Sequence, residues 1–86
     1  MYSNEATDEC KKQMLKLTSK NNPLLDALDS KIKKISENPY RFKPLGNVLP
    51  GFRRVHVLRC FVLIYDVDET RKTVVFRRFS RHDEAY

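Results

Sequence analysis

The chain has 86 residues, 41% hydrophobic and 33% charged, with a formal net charge of +6. That length allows a single domain over residues 1–86 with a small core, and the composition excludes a disordered tail. The longest apolar run, residues 61–65, falls far below the roughly 20 residues a membrane-spanning helix needs. The polar, acidic opening of the chain does not read as a signal peptide, so a cytoplasmic location is expected. Cys10 and Cys60 lie far apart without metal-type spacing, and they read as reduced thiols rather than a disulfide framework or a metal site.

The charge is uneven. Residues 1–38 carry seven lysines and six acids, for +1, whereas residues 39–86 carry two lysines, eight arginines and five acids, for +5. Every arginine therefore falls in the second half. The planar arginine fork suits bidentate phosphate recognition, so this half predicts a polyanionic partner.

In chain order, residues 2–6 suit a short strand. Thr7 or Asp8 then reads as an N-cap, and Cys10, Met14 and Leu17 give one apolar stripe to a helix over about 8–19. Asn21-Asn22-Pro23 breaks it and opens a second helix. Leu24, Leu25, Leu28, Ile32 and Ile35 mark the inner face of that helix, and Asn38-Pro39 ends it. Two helices on a tight connection predict an antiparallel αα-hairpin. A loop punctuated by Pro44, Gly46, Pro50 and Gly51 follows.

Three strands close the chain. Residues 52–58 alternate, with Val55 and Val57 opposite Arg54 and His56. Residues 61–67 are apolar almost throughout, as suits a central strand covered on both faces, and residues 72–79 turn basic at Arg77 and Arg78. Unbroken alternation in the last strand would place Arg78 on the same face as Val74 and Phe76. Short connections predict an antiparallel meander covered by the helical hairpin, giving an α+β domain of order β-α-α-β-β-β.

Lys43, His56, Arg78, His82 and Tyr86 are then expected to converge on one edge of the sheet. Taken singly, each has an ordinary explanation: an exposed strand histidine, edge-strand charges that block aggregation, a terminal tyrosine. Together they suit cleavage of an RNA phosphodiester, which needs a base, an acid and fixed positive charge on the phosphate. No metal or other cofactor enters this reading.

The stretches Lys43-Pro44-Leu45, Gly51-Phe52-Arg53-Arg54-Val55-His56-Val57, Phe61-Val62-Leu63-Ile64-Tyr65 and Arg78-Phe79-Ser80-Arg81-His82-Asp83-Glu84-Ala85-Tyr86 resemble the RelE/ParE superfamily of toxins from type II toxin–antitoxin modules. The likeness is to its YafQ-like branch and covers about half the chain. It implies a ribosome-dependent mRNA endoribonuclease that cuts the message in the A site and is silenced by a cognate antitoxin in a hetero-oligomer. By position, His56 and His82 would be the acid–base pair and Arg78 would stabilise the phosphate. Lys43, Arg53, Arg54, Arg77 and Arg81 would hold RNA, with Phe61 and Tyr86 orienting or stacking on bases.

Two positions depart from the family pattern. Cys60 stands where relatives often carry an acid, and Val62 stands where RelE proper carries an arginine. Two other readings remain: a ParE-like gyrase inhibitor that cuts nothing, and a non-catalytic relative that binds RNA or antitoxin.

Overall fold

The computed structural model describes residues 1–46 and 51–82. Tyr86, expected at the site, lies outside them. The elements are β1 (Ser3–Ala6), α1 (Asp8–Thr18), α2 (Asn22–Glu37), a 3-10 turn (Pro39–Arg41), β2 (Arg53–Val57), β3 (Phe61–Asp68) and β4 (Thr73–Arg81).

Local chemistry explains the helix ends. The Cys10 amide donates to Thr7 Oγ1 at 3.1 Å, and Asp8 and Glu9 face the positive end of the α1 dipole. The Leu24 amide donates to Asn21 Oδ1 at 3.1 Å, and Pro23 occupies the first turn of α2, where its missing N–H costs nothing. Asn38 leaves the helix in an extended conformation, and its side-chain oxygen accepts from the Tyr40 amide at 3.3 Å to start the 3-10 turn.

The helices cover one face of the sheet, α1 on β4 and α2 on β2. Cys10, Leu24, Leu28 and Ile35 bury there against Val55, Val57, Phe61, Leu63, Tyr65, Val74, Phe76 and Phe79. Each fully buried aliphatic or phenyl side chain contributes about 1.5–3 kcal/mol. Burial pushes the Cys10 thiol up to about 11, so it serves as packing rather than as a nucleophile. Tyr65 is also fully buried; its hydroxyl donates to the Pro39 carbonyl at 2.6 Å, tying the turn to the sheet.

The strand order is β1-β4-β3-β2. β2, β3 and β4 form the expected antiparallel meander, while β1 pairs with β4 in parallel, so the sheet is mixed. On the face away from the helices, Val62 and Ile64 are covered by Leu45 and Phe52. The loop before β2 makes this possible: the Leu45 amide donates to the Phe52 carbonyl at 2.9 Å, and Pro44 bridges to Arg53.

One irregularity decides which residues reach that second face. Ile64 pairs with Arg78 but Tyr65 pairs with Phe76, so Arg77 is an extra residue in a β-bulge. Phe76 and Phe79 consequently both enter the core, and Arg78 faces away from Val74 and Phe76 instead of sharing their face. Plain alternation fails here because a bulge adds one residue to a two-residue period.

At the far end of the sheet the N-terminal strand is pinned by polar contacts. Lys72 Nζ donates to Glu69 at 2.9 Å, and the Tyr2 and Tyr40 hydroxyls donate to the same carboxylate. The bond from Lys72, then those from the tyrosines, hold Glu69 down at about 2.

Candidate active site

The face away from the helices gathers residues from three strands. Arg54 on β2 and Arg78 on β4 are both partners of Ile64, and His56 and Ser80 are both partners of Val62. Cross-strand partners share a face, so Arg54, His56, Arg78 and Ser80 belong to one surface. The His82 amide donates to the Cys60 carbonyl at 2.6 Å, extending β4's alternation and placing His82 on that surface too. The imidazoles of His56 and His82 stack with centroids 5.1 Å apart and planes inclined by 25°.

His56 is lowered from its ordinary pKa of 6.5, first by desolvation and then by the charges of His82, Arg54 and Lys31. At neutral pH it is therefore a neutral proton acceptor. Two imidazoles this close titrate as a pair, because the first proton discourages the second.

Two clefts open beside the pair. One, of about 360 Å³, is lined by Arg41, Phe42, Lys43, Arg54, Val55 and His56. The other, of about 360 Å³, is lined by Arg59, Cys60, Arg81 and His82. Neither has an acid among its described lining residues. Lys43 is exposed, and its carbonyl accepts from the Arg54 amide at 3.1 Å, which seats it beside β2.

The other expected residues lie elsewhere. Arg53 donates to the Phe42 carbonyl at 2.7 Å and lies 5.1 Å over the Tyr40 ring. Arg77 is ion-paired with Asp66 at 2.8 Å. Phe61 is a core ring, 5.8 Å from Phe79, with the Arg81 guanidinium 5.6 Å from its centroid. Cys60 is an exposed thiol beside His82, and Asp66, the acid nearest in sequence, is engaged by Arg77. The paired histidines are thus the groups positioned for proton transfer among the described residues.

Sequence reasoning passed over Arg41, Arg59 and Ser80. Arg41 and Arg59 sit in turns, where no periodicity flags them; Ser80 was legible from the Arg78-Ser80-His82 alternation. Its Oγ is buried and has no hydrogen-bond partner among the described residues. An unsatisfied buried hydroxyl is destabilising, so Ser80→Ala is expected to raise the unfolding free energy by about 1 kcal/mol in urea titration. A loss of that size would instead show that the hydroxyl is bonded in solution.

Among the described residues, no three His, Cys, Asp or Glu side chains are grouped to hold a metal ion, and no helix is long and apolar enough to cross a membrane.

Comparison with known proteins agrees with this architecture. A Methanocaldococcus jannaschii protein named as a RelE4 toxin is 38% identical over 86 residues, covering 100% of this chain and 92% of that protein. A metal-bound toxin of Helicobacter pylori is 26% identical with a TM-score of 0.79, covering 100% of both chains. The DinJ–YafQ complex of E. coli matches with a TM-score of 0.76 at 23% identity, covering 100% of this chain and 99% of that one. The family model described as the ParE toxin of the type II toxin–antitoxin system parDE matches residues 1–86. With that match along its whole length, the chain belongs to the ParE toxin family, within the RelE/ParE superfamily of type II toxin–antitoxin toxins.

Proposed function

We propose that this toxin is an mRNA endoribonuclease that cuts messages presented in the ribosomal A site, and that a cognate antitoxin silences it in a hetero-oligomer. The observation that carries this reading is the stacked His56–His82 pair on a face shared with Arg54 and Arg78 and bordered by Lys43. Neutral His56 accepts the 2′-hydroxyl proton as that oxygen attacks the adjacent phosphorus. The P–O5′ bond breaks, and protonated His82 supplies the proton to the departing 5′-oxygen. The products are a 2′,3′-cyclic phosphate and a 5′-hydroxyl, with one proton taken up and one released. Arg78, Arg54 and Lys43 stabilise the charge on the phosphoryl oxygens, so the scheme needs no metal ion.

The partners follow from the resemblance and from the neighbouring complex of E. coli, which contains DinJ with YafQ. An acidic antitoxin segment laid over this basic face would cover the histidines and neutralise the charge together. Work at the ribosome places the protein in the cytoplasm.

The match to the ParE family favours one rival, gyrase inhibition without cleavage. Incubating the toxin with translating ribosomes and a defined message separates the two. Our reading predicts cuts at A-site positions, mapped by primer extension. Gyrase-dependent DNA breaks with intact message would replace it by the rival.

A further inference from the structure

The two clefts end on different histidines. His56 lines the cleft with Arg41, Lys43 and Arg54, and His82 lines the cleft with Arg59 and Arg81. The imidazoles stack 5.1 Å apart, so the clefts meet at the pair from opposite sides. One phosphate at the reacting centre would require positive charge on one spot. Here there is a basic, acid-free concavity on each side of it.

The remaining basic residues of the second half show that this is not a uniform positive coat. Arg71 is ion-paired with Glu5 and Asp68, Lys72 with Glu69, and Arg77 with Asp66. Arg41, Lys43 and Arg59 are exposed and take part in no such ion pair. Acids quiet the far end of the sheet and are absent from the cleft linings.

We infer that the ligand is an extended single strand of RNA lying across the histidine pair, with at least one phosphate seated in each cleft. Arg41 and Lys43 hold the backbone on one side, and Arg59 and Arg81 hold it on the other. A chain of regularly spaced phosphates matches two separated basic seats, whereas a mononucleotide fills one. Each cleft also borders an aromatic surface for an unstacked base: Phe42 lines the first, and Arg81, which lines the second, lies over Phe61. This inference rests on the proposed site and extends it to Arg41 and Arg59 as binding determinants.

The test uses the full chain and a fluorescent 2′-O-methyl RNA eight nucleotides long, which binds but has no 2′-hydroxyl to react. Anisotropy is read over a salt series without ribosomes. The slope of log affinity against log salt is expected to shrink by about 0.7 for each phosphate contact removed. Arg41→Ala and Arg59→Ala should each lose about that much, and the double variant twice as much. Arg59→Lys should keep the slope, and Arg71→Ala, from the far end, should leave it unchanged. Binding of a dinucleotide monophosphate should not depend on Arg59.

Circular dichroism melting confirms that each variant is folded. The inference is overturned if the octamer does not bind at low salt. Unchanged slopes in both arginine variants would also overturn it, as would an equal fall in Arg71→Ala, which would reveal a general charge effect. Because no cleavage is read, octamer binding with these slopes but no ribosomal cutting would remove the nuclease reading and leave the strand path standing.

Discussion

His82→Ala is expected to reduce ribosome-dependent cutting by about 10²–10⁴-fold, the usual contribution of one positioned acid–base group. The side chain is exposed on the face away from the helices, so its truncation leaves the core and the melting curve nearly unchanged. A second readout separates catalysis from mere contact. His56 is held below 6.5 in part by the charge of His82, so its titration in an NMR pH series should move upward in His82→Ala. It should stop short of 6.5, because desolvation, Arg54 and Lys31 still act.

The sign fixes the pH profile. Lowered His56 remains a neutral base somewhat below pH 6.5, and the rate falls as the pH drops through its folded value. The same shift makes stability rise with pH across this window, since the unfolded chain binds the proton more readily. Cutting that survives in both His82→Ala and His56→Ala would remove these histidines from the mechanism.

Phe79→Ala carries the largest expected structural effect, a loss of about 3–5 kcal/mol. Its ring is fully buried and stacks 5.8 Å from Phe61, and its amide donates to Gln13 Oε1 at 2.9 Å, fastening α1 to β4. An 86-residue domain has roughly 4–13 kcal/mol in total, so the variant retains half its stability or less. With a urea m-value of about 1–3 kcal/mol per molar, the midpoint should fall by 1 M or more. A shift below about 0.3 M would mean that this end of the core collapses to refill the space. Phe79 lies between Arg78 and Ser80, so one step along β4 separates a residue of the scaffold from residues of the site.

Most elements were readable where chemistry is local. Thr7, Asn21, Pro23 and Asn38 mark the helix ends by their side-chain acceptors or missing amide, and Val55 and Val57 mark the buried face of β2 by alternation. Three features depended on distant partners. The parallel pairing of β1 joins residues some 70 positions apart, which no local pattern encodes. Arg53 and Arg77 resemble Arg54 and Arg78 in sequence, yet Tyr40 and Asp66 claim them. The reversal of Arg78 follows from the extra residue, and the doubled arginine between Phe76 and Phe79 is its trace in the sequence.

That extra residue divides β4 into two reading frames. Parallel pairing with β1 stops at Phe76, and the frame changes at the next position. Deleting one residue elsewhere in the strand would turn every later side chain inside out. Removing Arg77 would instead leave Phe76 and Phe79 inward and Arg78, Ser80 and His82 outward, because plain alternation would be restored. The strand thus has a seam where its length can change by one without exchanging hydrophobic for catalytic surface. Mutational drift in the anchored half is thereby insulated from the half that bears the histidine.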